Sequence, residues 1–491
     1  MSDNTQKKDT FSTTSFLKIW VAPVLLGGLM SAPILYSNAK KPISEPTKLV
    51  LGAQANPLKK LKEELPSSSN SCTFTTLKSQ CFITKKALCD EDLKAAKIAW
   101  KYFENNYQEK TGLFNAADKY PSTTMWDTGS ALAATIAARD FGFISNKDFD
   151  DKITALIKTL VTMKLFNNEA PNKVYNTKNM KMVTYANKAA PDGIGVSALD
   201  LARLVSWLET LSCKHPKFRH QVDMAIKRWS FDRLIEDGQM ITLKRDLKTG
   251  EVKMFQEGRL GYEQYAAKIL QRKGLHLPRS STYNNDTRQD VAINGLIVAT
   301  DNRTPEKFHS DNSVVTESYV MDAIENGYDE ENQPLIDSIY QVQKRRWQQE
   351  GIVTAVSEDN INKKPYFVYN TIFSGGKTWV AKSPNGDFLD NHKTVSTKAA
   401  IALATLYPND DYSAVLIDKV KSAYDSEKGW YSGVYESGEG YNTSITANTN
   451  GVILSSLLYK KYGSTHQICS KCNTATPIIK MPNSQTCGVE L

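Results

Sequence analysis

Residues 195–235 read GVSALDLARLVSWLETLSCKHPKFRHQVDMAIKRWSFDRLI. Apolar side chains recur at helical spacing through 195–212 and again through 217–235, with only KHPK at 214–217 between them. Two helices joined by so short a loop must fold back as an antiparallel pair. The same periodicity extends outward in both directions, through 90–107, 125–142 and 147–165 on one side. On the other it runs through 261–273, 313–326, 333–349, 395–407, 412–425 and 447–462, which makes about eleven helices. Capping residues such as Asp90, Asn146 and Ser396 stand at several starts.

Connection lengths decide how these helices assemble. SNK at 145–147, KHPK at 214–217 and PND at 408–410 are short. The connections between pairs are long and rich in Trp, Tyr, Asn and Gly, with strand-like hairpins near 239–256 and 352–382. Short and long links in alternation predict a mainly α fold, an (α/α)6-type toroid of paired helices whose long loops share one face. An irregular two-lobed bundle would show no such alternation.

The chain has 491 residues and a net charge of +8, with 41% hydrophobic and 23% charged residues, an ordinary balance for a globular protein. No arginine-rich block or basic stripe interleaved with aromatics occurs, so nucleic acid is not an expected partner. Residues 19–36, IWVAPVLLGGLMSAPILY, are uncharged and apolar. At about 1.5 Å per residue a helix of that length just crosses a bilayer core. Residues 1–39 therefore read as a cytoplasmic stub with an inner-membrane anchor, the main domain lying periplasmic. The alternative is a signal peptide cleaved near Ser37-Asn38-Ala39, giving a secreted protein. Residues 40–70 form a Pro- and Ser-punctuated linker, 71–91 a Cys-containing segment, 92–462 the toroid and 463–491 a Cys-containing tail.

Cys72, Cys81 and Cys89 precede the toroid and Cys469, Cys472 and Cys487 follow it, a placement suited to disulfides that clamp the two chain ends. His466, Cys469, Cys472 and Cys487 offer the rival reading of a structural zinc site. Cys213 stands apart and reads as a small buried hydrophobe.

If the long loops share one face, the helix starts they feed converge. Five clusters stand at or near such starts. Trp126 and Asp127 offer a stacking plate and a carboxylate, although Asp127 also suits a first-turn helix acid. Glu257, Arg259, Tyr262 and Glu263 follow one another within EGRLGYEQY at 257–265. Glu317 interrupts an apolar helix, where facing inward would raise its pKa. Glu358 and Asp359 precede the rings of Tyr366 and Tyr369, with Asn370 next. Asn448 lies in an amide- and hydroxyl-rich run at 442–450, near Trp430.

No phosphate loop, GxSxG elbow or HExxH pair is present, and the six histidines are dispersed. Carboxylates, amides and rings remain, the inventory of glycoside hydrolysis, in which one carboxyl protonates the leaving oxygen and another activates water or attacks carbon. The expected carboxyl chemistry falls to Glu263, Glu317, Glu358 and Asp127, with Asp359 and Glu257 behind them. Trp126, Tyr262, Tyr366, Tyr369 and Trp430 would stack on sugar, and Arg259, Asn370 and Asn448 would hydrogen-bond to it. The expected partner is an oligo- or polysaccharide, and no cofactor is implied. A non-catalytic sugar-binding or scaffolding protein of envelope polysaccharide assembly would use the same cavity.

The stretches TTMWDTGSALAA (123–134), PNKVYNT (171–177), VSALDLARLV (196–205), EGRLGYEQYAA (257–267), STKAA (396–400), GWYSGVYE (429–436) and TANTNGVIL (446–454) resemble a bacterial family catalogued as domain of unknown function 3131. GIVTAVSEDNINKKPYFVYNTIFSGGKTW (351–379) belongs to the same resemblance, which covers about residues 92–462. It implies an exported helical toroid similar to those of glucoamylase-like and β-1,2-glucanase-like enzymes, and it names no substrate.

Overall fold

A computed structural model describes residues 88–308 and 312–470. The membrane-segment, linker and most terminal-cysteine expectations fall outside those residues. Among the described residues, no helix is long and apolar enough to cross a membrane.

Six helices form an inner ring: α2 (Met125–Asp140), α4 (Ala198–Lys214), α6 (Tyr262–Arg272), α7 (Thr316–Met321), α9 (Thr397–Leu406) and α11 (Ala447–Tyr462). Each packs on the next, and α11 returns to α2, closing the circle. Outside them lie α1 (Asp90–Asn106), α3 (Asn146–Thr162), α5 (Arg219–Ile226), α8 (Asn332–Glu350) and α10 (Asp411–Val420). Burial separates the two layers. In α2 every residue from Met125 to Ala138 is buried, as expected of a helix surrounded by others. In α3 the buried residues Phe149, Ile153, Leu156, Ile157 and Leu160 make a single stripe.

Small residues let the inner helices touch. A Cβ on Gly451 of α11 would come within 2.7 Å of Ser130 Cβ on α2, so the ring tolerates no enlargement there. Buried polar groups tie its axis. Arg203 of α4 is wholly buried, stacks over the Trp126 ring at 4.4 Å and lies 3.7 Å from Glu325 Oε1. Glu325 also accepts from Trp207 Nε1 at 2.8 Å and Tyr265 Oη at 2.6 Å. It sits on a π-helical turn, Asp322–Asn326, that continues α7. A last helix, α12 (Thr465–Ser470), packs on α4 and this turn, and Thr465 Oγ1 donates to the Glu325 carbonyl at 2.7 Å.

The eleven expected helices leave one outer position open, and one of them is shorter than expected. The sixth outer position, between α6 and α7, holds no long helix. A β-hairpin occupies it, Arg288–Ile293 paired with Leu296–Asp301, and packs on α8. The helix expected through 235 stops at Ile226. Beyond it Trp229, Phe231 and Leu234 bury themselves as a loop, and Ser230 N–H donates to the Glu169 carbonyl at 2.8 Å. Tertiary contacts there override the apolar period.

The two expected hairpins are present, as Gln239–Arg245 with Val252–Gln256 and as Phe367–Ser374 with Lys377–Lys382. The apolar run at 352–356, which reads as a strand, makes no ladder. Its backbone is held by single bonds to several partners: Tyr412 Oη accepts from Thr354 N at 2.8 Å, Gln343 Oε1 from Val356 N at 2.8 Å, and the Ala355 and Val356 carbonyls accept from Ser396 N at 2.7 Å and Thr316 N at 3.1 Å. The strand begins at Glu358 and runs to Asn360, paired with Phe367–Tyr369.

Candidate active site

The long loops enter the N-terminal ends of the inner helices, so first-turn side chains meet at one mouth of the ring. They include Asp127 of α2, Asp200 of α4, Glu317 of α7, Lys398 of α9 and Asn448 of α11. The short strand Glu358–Asn360 adds Glu358 and Asp359. Asp127, Glu358, Asp359, Lys398 and Asn448 line one narrow cleft.

Lys398 organises the cluster. Its ammonium forms an ion pair with Glu317, lies 3.4 Å from Asp359 Oδ1 and donates to the Glu358 carbonyl at 2.6 Å. Asn448 Nδ2 donates to Glu317 Oε1 at 2.8 Å, and its own carbonyl accepts from Trp126 Nε1 at 3.0 Å and Arg203 at 2.9 Å. Two carboxyls, Glu317 and Asp359, thus contact one ammonium, and the Glu358 carboxyl lies within its field. Burial, then the neighbouring Glu317, push the Glu358 carboxyl up to about 8, against the pull of Lys398. Burial raises Asp359 to about 6, with Lys398 opposing. Burial also raises Asp127 to about 6, with the Thr124 hydroxyl, which donates to Asp127 at 2.8 Å, opposing. Lys398 stays charged because Asp359 and Glu317 outweigh its burial.

Several buried polar atoms here lack a hydrogen bond of ordinary geometry: both Asp359 oxygens, Asp200 Oδ2, Tyr262 Oη, Ser396 Oγ and Thr397 Oγ1. Buried polar groups are normally paired. Tyr262 Oη does face Glu358, and their contact holds the Glu358 carboxyl lower than burial alone would.

Other expected residues stand elsewhere. Glu263 is locked in place: Arg303 donates to it at 2.5 Å, Ser280 Oγ at 2.6 Å and Gln256 Nε2 at 3.2 Å. Glu257 accepts from the backbone N–H groups of Ala198 and Leu199 at 2.6 and 3.2 Å, which makes it the cap of α4. Arg259 spends its guanidinium on Gln256 and the Gly258 carbonyl, both at 2.6 Å.

Trp126 is no open stacking plate. Arg203 covers its face, and Tyr262 and Tyr265 pack edge-on at 5.7 and 5.8 Å. Asn370 is committed to Thr394, donating to its hydroxyl at 3.1 Å and accepting from its N–H at 3.2 Å. Trp430 points outward to α1, where its indole donates to the Ala95 carbonyl at 2.9 Å. Tyr369 lies opposite Glu358 in the ladder, and Tyr366 lines a wider chamber that adjoins the cleft.

Sequence reading missed three members. Lys398 was visible as the one charge in STKAAIALATL (396–406), a lysine in the first turn of an otherwise apolar helix. Asp200 was visible as the acid of SALD, where burial and then Glu257 raise its carboxyl. Arg203 carried no signal beyond a charge inside an apolar period.

The zinc reading places Cys472 and Cys487 outside the described residues. His466 is exposed and Cys469 lies against Cys213. Among the described residues no group of three or more His, Cys, Asp or Glu is arranged to hold a metal, and no disulfide joins Cys89, Cys213 and Cys469 to one another.

Solved structures share this fold at low identity. A proposed glucoamylase from Bacteroides caccae superposes with a TM-score of 0.59 at 12% identity, covering 78% of this chain and 96% of its own. An endo-β-1,2-glucanase from Chitinophaga pinensis, solved with sophorotriose and glucose, gives 0.58 at 10% identity, with 80% and 97% covered. An endo-β-1,2-glucanase from Talaromyces funiculosus, solved with sophorose, gives 0.51 at 12%, with 77% and 85% covered. Among curated proteins no sequence matches. At these identities the likeness establishes the toroid. The model of one family, a protein of unknown function designated domain of unknown function 3131, matches residues 94–463, and the chain belongs to that family.

Proposed function

We propose that the protein is a glycoside hydrolase acting on a glucan-type oligo- or polysaccharide. One observation carries the reading: within a single cleft, a carboxyl held protonated up to about 8 stands with carboxyls near 6. Carboxyls driven apart in this way divide into an acid and a base. Glu358 is the general acid that protonates the leaving glycosidic oxygen. Asp127 is the carboxylate that activates water or attacks the anomeric carbon. Glu317 and Lys398 position Glu358 and set its charge environment. The under-bonded hydroxyls and carboxylate oxygens suit a ligand rich in hydroxyl groups. The glucanase complexes among the structural neighbours, solved with sophorose and sophorotriose, support glucan as the first substrate class to try.

Release of reducing ends from a panel of glucans, β-1,2-glucan included, tests the reading. Wild type yields product and Glu358→Gln does not. Equal rates for the two remove Glu358 from the chemistry. Glycan binding without product at any pH selects the non-catalytic sugar-binding alternative. Placement at the envelope rests on residues 19–36; recovery of the full chain from the soluble cytoplasmic fraction would overturn it.

A further inference from the structure

The narrow cleft borders a chamber of about 350 Å3 with which it shares the lining residues Asn360 and Thr446. That volume lies within the range of small-molecule sites, about 300–1,000 Å3. Its walls come from four separate parts of the chain: the Asp118 loop, the 360–366 segment with Tyr366, the turn bearing Asp425 and Lys428 with Tyr431 beyond it, and the 443–446 segment. Bonds across the chain fix this arrangement. Asp118 N–H donates to the Ile445 carbonyl at 3.0 Å, and Lys428 pairs with Asp425 at 3.1 Å.

Tyr366 is held in an unusual conformation. Its φ is 71°, in the left-handed region that bulky residues avoid at a cost of about 1–3 kcal/mol. Its carbonyl is pinned by Ile361 N–H at 3.1 Å and Asn360 Nδ2 at 3.3 Å. Strain that surrounding bonds maintain clusters at ligand sites. The chamber's charges, Asp118 and Asp425 against Lys428, sum to minus one, which disfavours phosphate, sulfate or uronate. Two rings beside threonine and serine hydroxyls suit a neutral sugar, whose apolar face stacks while its rim hydrogen-bonds.

Building on the glycosidase reading, we propose that this chamber is a distal subsite for a neutral glycan chain, with Tyr366 and Tyr431 as its stacking surfaces. A chain anchored there reaches the carboxyl cleft past Asn360 and Thr446. The protein therefore prefers polymers to short oligosaccharides.

Affinity for neutral β-glucan oligosaccharides of increasing length, measured by calorimetry on the full chain, tests this, with a polyuronate series as a control. Tyr431→Ala and Tyr366→Ala should each weaken long chains about tenfold more than short ones. Thr443→Trp, which fills the chamber from an exposed position, should flatten the length dependence in a protein whose circular dichroism and melting match wild type. Equal losses for long and short chains, or none, overturn the distal subsite and leave the catalytic reading standing. Tighter binding of polyuronate than of neutral glucan overturns the assignment to neutral sugar. Binding of no glycan of any length by wild type overturns both readings.

Discussion

Glu263, in the first turn of α6, and Glu358, on the short strand between α8 and α9, are both acids of the long-loop face, and their fates differ. Glu263 opens α6 and is surrounded by Arg303, Ser280 and Gln256, with Asp301 sharing the same guanidinium. Glu358 lies in a cluster where one lysine pairs with Glu317 and Asp359, and its own carboxyl faces the Tyr262 hydroxyl with Glu317 close by. The first is a structural cluster in which every Glu263 oxygen has a hydrogen-bond donor, from Arg303, Ser280 or Gln256. The second is a proton reservoir, since an excess of buried negative charge is relieved by binding hydrogen ions. Burial alone does not mark a reacting group; incomplete compensation does.

The sharpest way to break this contrast is to remove each acid. Glu358→Gln should lower kcat/KM by about 10^2–10^4-fold, the usual contribution of a general acid, or about 3–5 kcal/mol. Glu263→Gln should instead cost folding, with the surviving folded enzyme within about tenfold of wild type. If the two results are exchanged in a reducing-end assay, the division between them is wrong. Arg303→Met leaves Glu263 and Asp301 buried without their cation and should cost about 3–5 kcal/mol in urea unfolding.

The pH dependence gives a third test. Activity should fall at low pH through about 6, as Asp127 takes up a proton, and at high pH through about 8, as Glu358 loses one. Stability obeys the same linkage. Glu358 binds its proton more tightly in the folded state than its ordinary 4.5, so its contribution is complete below that value and is lost as pH rises toward about 8. Glu358→Gln should therefore melt higher than wild type at alkaline pH, by on the order of 1 kcal/mol given its partial exposure. A variant that melts lower at every pH refutes a destabilising carboxylate there. Tyr262→Phe should have the smallest effect. It removes the hydroxyl that eases ionisation of Glu358, so the alkaline limb of the rate profile moves upward by less than one pH unit.

The ring was legible because its two layers carry different patterns. α2 is apolar or small on every side, α3 shows one stripe, and short turns at 145 and 215 join inner to outer. The hairpin at 288–301 was overlooked, although Asn294-Gly295, both at positive φ, is the two-residue turn that such a hairpin favours. RQDVAING and LIVATD alternate weakly, and only packing on α8 gives that segment a buried face. In the mouth, sequence could nominate acids but not count their partners. Glu257 and Glu358 look alike in one dimension, and only the fold shows that backbone N–H groups claim the first. Lys398 was overlooked for the converse reason: a lone lysine gains meaning only beside the carboxyls it balances.

Arg203 with Trp126, Glu325, Trp207 and Tyr265 fills the hole through the middle of the ring with charge and aromatic bulk. The protein is therefore a bowl and not a tube. On the glycosidase proposal, a long polymer cannot thread along the symmetry axis and leave on the far side; it has to lie across the rim, and fragments would depart by the doorway through which the strand arrived.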